Sequence, residues 1–139
     1  AETVANHHPN ATVISTDQAA EFDGIILAKP GTHQNACDML QKLSGKTVSF
    51  FTSVGMIQPN ESCLIHTEKV IVTLRQLEYH EIARYVKADM PLDCAGSFKV
   101  ESLGISLFKS VKSEDPTALE GLPLIRLSQW LRDQGFEIP

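Results

Sequence analysis

An aspartate, a glutamine and a lysine near the start of the chain have side chains that could do chemistry together. Asp17 and Gln18 follow the apolar pair Val13 and Ile14, and Lys29 comes after a second short apolar run. A carboxylate at the end of a strand can bind a hard divalent cation or accept a proton from an attacking water. The glutamine amide offers one acceptor and two donors, which suits the edge of a base. Spacing alone also allows a plainer interpretation, in which Asp17 caps a turn and Gln18 lies on the surface.

Lys29 precedes Pro30 and Gly31 in a loop that leads into a predicted helix. An ammonium group near a helix N-terminus can bind phosphate, because the backbone N–H groups there add to the attraction. A lone lysine in a loop can equally be solvated, so its position alone does not assign it a role.

The segment CAGSFKVE, residues 94–101, is a second candidate for a binding site. Ala95 and Gly96 would let the backbone approach a ligand closely, and Lys99 adds a second cation. Glu101 lies on the same side as Lys99 if the segment is extended, and its carboxylate can accept from the N–H groups of a purine. A half-exposed strand with alternating polar residues would show the same pattern.

Local signals predict the elements that must position these residues, and their order predicts an α/β fold. Asp23-Gly24 is a strong hairpin signal, and Thr32 and Gly45 are suited to begin and end a helix. Strands are predicted at 12–16, 25–27, 48–57 and 64–74, with further loop and strand at 92–111. Helices are predicted at the start of the chain, at 32–45, at 77–86 and at 123–135. The result is a mixed, largely antiparallel central sheet flanked by helices.

Two polar stretches are predicted to be irregular. The cluster QPNES, residues 58–62, is expected to form the turn between the two long strands. The stretch SEDPTALEG, residues 113–121, is expected to be a polar excursion before the closing helix.

Composition indicates one soluble globular domain. The 139 residues are 42% hydrophobic and 21% charged, which is enough to form a core. A net charge of -5 argues against a nucleic-acid polymer as a partner, because such binding needs clustered Lys and Arg. The three cysteines show no CxxC pairing, so they fit neither a disulfide framework nor a zinc site and predict a reducing, cytoplasmic compartment. No run is long enough to predict a membrane span.

Five segments, taken in order, resemble the Maf family of nucleoside-triphosphate pyrophosphatases. They are STDQ, AKPGTHQNACDMLQKLSGKTVSFFTSV, TEKVIVTLRQLEYHEIARYV, PLDCAGSFKVESLG and GLPLIRLSQWL. The resemblance runs from about Ala1 to the end of the chain and implies an inosine-triphosphatase-like α/β fold. The DQ pair, where other Maf branches carry DT, and the CAGSFKVE segment are similar to one subfamily. That subfamily hydrolyses 7-methyl-GTP to its monophosphate and pyrophosphate, a house-cleaning activity on a modified nucleotide.

The resemblance also implies roles for individual residues. Asp17 matches the catalytic acid, which accepts a proton from the attacking water and contacts a divalent cation, Mg²⁺ first, with Mn²⁺ and Co²⁺ as alternatives. Gln18 and Glu101 match positions that set base specificity, and a carboxylate at Glu101 would favour the cationic ring of 7-methylguanine over plain guanine. Lys29 matches the lysine of the family's GKP, although the chain has alanine in place of that glycine. Lys99 is predicted to be a further phosphate contact.

The family's opening elements, a strand and an SxSPRR-like loop, have no counterpart in residues 1–139. We therefore expect a single Maf-like domain that lacks the N-terminal portion and hydrolyses nucleotides poorly by itself. An uncovered sheet edge would favour pairing with a second copy, so a homodimer is expected.

Two other functions stay open at this point. A non-catalytic nucleotide-binding or interaction module would keep the fold without the phosphate-binding loop. A broader pyrophosphatase would act on dTTP or UTP, although Gln18 and the SFKVE segment argue against it.

Overall fold

The computed structural model describes residues 1–59 and 61–139, and an antiparallel sheet is its centre. The strands are β1 (Val13–Phe22), β2 (Ile25–Ile26), β3 (Thr47–Ile57), β4 (Leu64–Leu74) and β5 (Phe108–Lys112). The helices are α1 (Glu2–His7), α2 (His33–Leu43), α3 (Tyr79–Asp89) and α4 (Leu124–Asp133), and 3₁₀ turns form at Ala95–Ser97, Leu103–Leu107 and Pro116–Glu120. The strand order is β2-β1-β3-β4-β5. The predicted combination of helices and a central sheet is confirmed, but every pairing among the described strands is antiparallel rather than mixed.

The first hairpin is confirmed, but its first strand is longer than predicted. Asp23 and Gly24 both have positive φ, 52° and 77°, which is the conformation of a tight hairpin turn of type I′. The sequence places the end of the first strand at Thr16, whereas β1 continues to Phe22. Asp17 therefore lies within a strand and not after its end. The prediction was wrong because the polar side chains after Thr16 suggested that the strand ends there. Polar residues such as Asp17 instead occupy solvent-facing positions within β1.

The two long strands carry the core on one face of the sheet. Val48, Phe50 and Val54 of β3 alternate with less buried residues, and Val70 and Val72 do the same on β4. This period of two is the pattern of a sheet buried on one face, and it confirms the predicted antiparallel pair. Of the turn predicted between these strands, Asn60 lies outside the described residues.

Helices α2 and α3 cover that buried face. The Thr32 hydroxyl accepts a hydrogen bond from the Asn35 backbone amide at 3.2 Å, so the predicted N-cap is confirmed. Helix α3 begins with a capping box in which the Glu78 side chain accepts from backbone and the Glu81 side chain accepts from the Glu78 amide. Both helices turn their apolar stripes onto the sheet, where Leu40 of α2 is fully buried.

The segment 113–121 is not the polar surface excursion that its composition predicts. The carboxylate of Glu68, on β4, accepts from the Ser113 hydroxyl at 2.9 Å and from the Asp115 backbone amide at 3.2 Å. Asp115 is itself buried and accepts from the Ile125 amide at 2.7 Å, at the start of α4. Two buried carboxylates therefore fold this segment back against the sheet, and Leu119 joins the core.

Two further features concern the cysteines and the helices. Cys37, Cys63 and Cys94 are free, as their spacing predicts. None of the described helices combines the length and the apolar character needed to cross a membrane.

Candidate functional site

A cleft of about 320 Å³ lies between the first hairpin, the 93–101 segment and the 116–120 turn. Four of the five residues singled out from the sequence line it together: Asp17, Gln18, Lys29 and Glu101. The hairpin contributes the first three, because β1 carries the acid and the amide while the chain leaving β2 carries the lysine. The fold thus brings together residues from two separate sequence segments. Along β1, Gln18 lies on the inner face of the sheet opposite Thr52, and Asp17 lies on the other face opposite Ser53.

Asp17 lies on β1 before the point where β2 begins to pair, so its strand has β3 on one side only at this position. Its side chain is exposed, and one carboxylate oxygen accepts from the Gln18 backbone amide at 3.0 Å. Within the described residues the other carboxylate oxygen accepts no hydrogen bond. Asp17 can therefore hold a water or a cation with that oxygen.

Gln18 has a fixed side chain. Its amide nitrogen donates to the Thr52 hydroxyl at 2.9 Å and to the carbonyls of Ala118 at 3.0 Å and Leu119 at 3.2 Å. The two carbonyls can only accept, so the end of the amide that faces them must be the nitrogen. The amide oxygen is then the end left for the cleft, and it accepts no hydrogen bond within the described part of the chain.

Lys29 is exposed and precedes Pro30, which packs inside ahead of α2. Its charge reaches Asp93, another residue of the cleft. The pKa of the Asp93 carboxyl is lowered, first by hydrogen bonds from its own backbone and from the Cys94 thiol, and then by the positive charges of Lys99 and Lys29. Lys29 thus already compensates negative charge in the cleft.

Lys99 lies near the cleft, but its ammonium group is bonded elsewhere. Its ammonium group donates to the Asp89 carbonyl at 3.1 Å, at the end of α3, and it is not among the described residues that line the cleft. Lys99 and Glu101 were predicted to share one side only if this segment is extended, and that condition is not met, because the segment forms turns. The Lys99 carbonyl accepts from the Gly104 amide at 2.9 Å and closes a turn. A Cβ at Gly104 would lie 2.3 Å from that carbonyl oxygen, so only glycine fits there.

Several cleft residues have no signal in the local sequence. Asp93 and Glu120 add two carboxylates, and Phe50 and Phe98 form an aromatic floor with ring centroids 5.3 Å apart. They come from three separate parts of the chain, namely the 93–101 segment, β3 and the 116–120 turn, so only the tertiary fold reveals that they meet. Among its described lining residues the cleft therefore has four carboxylates and a single lysine.

Cys94 also lines the cleft, but its thiol is not poised as a nucleophile. Burial first, and then the neighbouring Asp93, raise the pKa of Cys94 to about 11. A thiol with so high a pKa stays protonated near neutral pH and reacts slowly. The Cys94 thiol is therefore not a candidate nucleophile of the cleft.

A closed protein cage for a metal is absent from the residues that the structure describes, since no three His, Cys, Asp or Glu side chains form a suitable group. The exposed carboxylate of Asp17 fits a different kind of site. Mg²⁺ is commonly held by one or two carboxylates together with waters and substrate phosphates. The donor set in the cleft is thus compatible with a divalent cation that arrives with a phosphorylated ligand.

Comparison with known proteins gives a family and close relatives. The model of the family described as Maf-like protein matches residues 1–134. A protein of Xanthomonas axonopodis pv. citri named 7-methyl-GTP pyrophosphatase is 52% identical over 139 residues, which is 100% of this chain and 73% of that protein. Proteins of the same name from Pseudomonas aeruginosa and Pseudomonas putida are 46% and 44% identical over 140 residues, again 100% of this chain and 73% of each relative.

Proposed function

The chain belongs to the family of Maf-like proteins, and from that membership we propose that it is a nucleoside-triphosphate pyrophosphatase acting on 7-methyl-GTP. The observation that carries the proposal is the cleft in which Asp17, Gln18, Lys29 and Glu101 meet. Relatives at 44% to 52% identity that carry the name 7-methyl-GTP pyrophosphatase support the choice of substrate.

The charge of the cleft supports a cationic base. Methylation at N7 gives a guanine ring a delocalised positive charge, whereas the unmodified ring is neutral. Asp93, Glu101 and Glu120 bring negative charge to the walls of the cleft. Such walls attract the methylated base more strongly than the plain one, and the difference is a source of specificity.

The fixed amide of Gln18 supports a guanine base over a pyrimidine. With its nitrogen held by Thr52 and two carbonyls, Gln18 offers the cleft an acceptor. Glu101 offers acceptors as well. Guanine presents two neighbouring donors, N1–H and the 2-amino group, whereas thymine and uracil present a single N–H between two acceptors. Two acceptors on the protein therefore match 7-methyl-GTP better than dTTP or UTP.

In the proposed reaction, water attacks the α-phosphorus and the bond from that phosphorus to the bridging oxygen of the β-phosphate breaks. The products are the nucleoside monophosphate and pyrophosphate. Asp17 accepts the proton of the attacking water at its free carboxylate oxygen. Lys29 binds phosphate oxygens and offsets their negative charge. Lys99 can share this work only if its ammonium leaves the Asp89 carbonyl.

Asp17 is also the proposed protein ligand of a divalent cation. When bound, such a cation neutralises charge on the non-bridging phosphate oxygens. The residues of the chain do the rest: they hold the base, orient the triphosphate along the hairpin and take up the proton.

The proposed function is tested by measuring pyrophosphate release from a panel of nucleoside triphosphates with the full-length gene product. We expect 7-methyl-GTP to give the highest kcat/KM, followed by GTP, with dTTP and UTP lower. Equal rates on 7-methyl-GTP and dTTP would overturn the choice of substrate. Binding of nucleotides without release of pyrophosphate would favour a non-catalytic module instead.

A second copy of the chain is a proposed partner. Before Glu21, β1 has β3 as its single strand partner among the described residues, and Ile14 on this strand is 42% exposed. A free, partly apolar edge favours pairing with another strand. Sedimentation velocity should show a dimer, and a monomer at all accessible concentrations would contradict this.

A further inference from the structure

Thr52 connects the side-chain amide of Gln18 to the core of the sheet. It lies on β3 directly opposite Gln18 in the strand register and is 0% exposed. Its hydroxyl donates to the Ala118 carbonyl at 2.8 Å and accepts from the Gln18 side-chain nitrogen at 2.9 Å. Thr52 is thus the one hydroxyl on the otherwise apolar, buried face of β3, and it acts both as a donor and as an acceptor.

The direction of these hydrogen bonds determines whether Gln18 presents its amide oxygen or its amide nitrogen to a ligand. A threonine hydroxyl has one hydrogen, and here the Ala118 carbonyl takes it. The hydroxyl is then left with lone pairs only, so it cannot donate to the amide oxygen of Gln18. The flipped side chain, with its oxygen inward and its two donors toward the cleft, would find no donor to satisfy that oxygen.

The same hydroxyl also holds the opposite wall of the cleft. By bonding the Ala118 carbonyl, Thr52 ties the 116–120 turn to β3, and that turn supplies the other acceptors of the Gln18 amide. Glu68 anchors the same segment from β4. Gln18, Thr52 and Ala118 thus form one hydrogen-bonded unit that spans two strands and a turn.

We propose that Thr52 is a positioning residue for base recognition, which holds Gln18 so that its amide presents an acceptor to the donor edge of guanine. The proposal rests on the proposed function, because it assumes that a base occupies this cleft. Thr52 touches no ligand in this account; it acts through Gln18. The positive charge of the methylated ring is recognised by Glu101. Selectivity for guanine over adenine and selectivity for a methylated ring over a plain one should therefore respond to different substitutions.

The test is calorimetric binding of 7-methyl-GMP and 7-methyl-AMP to the chain. Both rings carry the methyl group and the positive charge, but adenine has an acceptor at N1 where guanine has a donor. Binding of monophosphates does not depend on turnover, so the result is readable whether or not the proposed catalysis is correct.

Thr52→Val keeps the shape of the side chain and removes the hydroxyl. We expect the preference for 7-methyl-GMP over 7-methyl-AMP to fall about threefold to tenfold, the range of one net hydrogen bond. Thr52→Ser keeps the hydroxyl and should restore the preference. Thr47→Val, the same change on the same strand but at an exposed position outside the cleft, should leave it unchanged.

The outcomes separate the two claims. Equal weakening of both nucleotides by Thr52→Val, with the preference intact, would show a structural role and overturn the positioning role. A wild-type chain that binds the two nucleotides alike would also overturn it. A wild-type chain that prefers 7-methyl-GMP over 7-methyl-AMP but does not distinguish it from GMP would leave the Thr52 inference standing and contradict the proposed preference for a methylated base.

Discussion

The first hairpin and the 94–104 segment carry similar candidate residues, but the fold uses them differently. The hairpin brings Asp17, Gln18 and Lys29 to one cleft, whereas the second segment brings Glu101 and turns Lys99 toward the end of α3. In the hairpin, pairing with β3 fixes the register and therefore the direction of each side chain. In the second segment, the turn closed by Gly104 sets those directions. Strand pairing is thus the better guide to where a side chain points.

The largest expected effect comes from the acid of the hairpin. Asp17→Asn removes the proposed proton acceptor and should lower kcat for 7-methyl-GTP by about 10² to 10⁴-fold, the usual contribution of a general base. The measurement is pyrophosphate release at saturating nucleotide. Asp23→Asn, in the turn of the same hairpin, is the control, since asparagine accepts the positive φ of that position. A kcat for Asp17→Asn close to that of wild type would remove Asp17 from the mechanism.

The two lysines test the contrast between the regions directly. Lys29→Ala should raise KM for the triphosphate about tenfold or more, because a charge-assisted contact to phosphate is lost. Lys99→Ala should change KM little and instead lower the free energy of unfolding by about 1 kcal/mol, through loss of its hydrogen bond to the Asp89 carbonyl. Steady-state kinetics and chemical denaturation measure the two effects. An equal rise in KM for both variants would show that Lys99 reaches the phosphates.

Glu101 is the residue of the second segment that does line the cleft. Glu101→Gln should lower the ratio of kcat/KM for 7-methyl-GTP to that for GTP about fivefold, because unit charges about 4 Å apart in water interact by about 1 kcal/mol. Glu137→Gln, a matched change of charge outside the cleft, should leave the ratio as it is. An unchanged ratio for Glu101→Gln would mean that the ring charge is not read there.

The smallest expected effect concerns Glu68 of β4, whose carboxylate anchors the 113–121 segment. Burial alone would raise the pKa of Glu68, but hydrogen bonds from Ser113 and from the Asp115 and Glu114 amides outweigh it and lower the pKa below 4.5. A lowered folded-state pKa stabilises the protein at pH values above 4.5, and this stabilisation is lost as pH falls through the folded value. Glu68→Gln should therefore cost about 1–3 kcal/mol near neutral pH.

The pH dependence gives the control for this variant. The difference in the free energy of unfolding between wild type and Glu68→Gln should shrink as pH falls below 4.5 and through the lowered folded-state pKa of Glu68, because both side chains become neutral there. Denaturant titrations at neutral and acidic pH measure it. A difference that grows on acidification would contradict the lowered pKa of Glu68.

Much of the fold could be predicted because its signals are local. The Asp23-Gly24 turn, the Thr32 cap and the alternation along β3 each depend on a few neighbouring residues, and each is confirmed. The length of β1 and the burial of segment 113–121 could not be predicted in this way. They depend on partners far along the chain, such as the 100 residues that separate Gln18 from Ala118.

The candidate site likewise has residues that could be predicted from the sequence and residues that depend on contacts far along the chain. The side chains that line the cleft from the hairpin were found from their types and from the family resemblance, and their roles stay predictions. Asp93, Glu120 and Thr52 were not found, because neither their residue types nor their spacing indicates that they meet at the cleft. Each acquires its place only when the sheet and the 116–120 turn come together.

The central claim is that this cleft binds the methylated guanine nucleotide, and an NMR titration tests it most directly. Isotope-labelled chain is titrated with 7-methyl-GMP, and the perturbed backbone amides are mapped. We expect the shifts to concentrate at Asp17, Gln18, Lys29 and the 93–101 segment, with Thr73 of β4, which lies outside the cleft, unchanged. Shifts concentrated at residues outside the cleft, or equal responses to 7-methyl-GMP and TMP, would contradict the account.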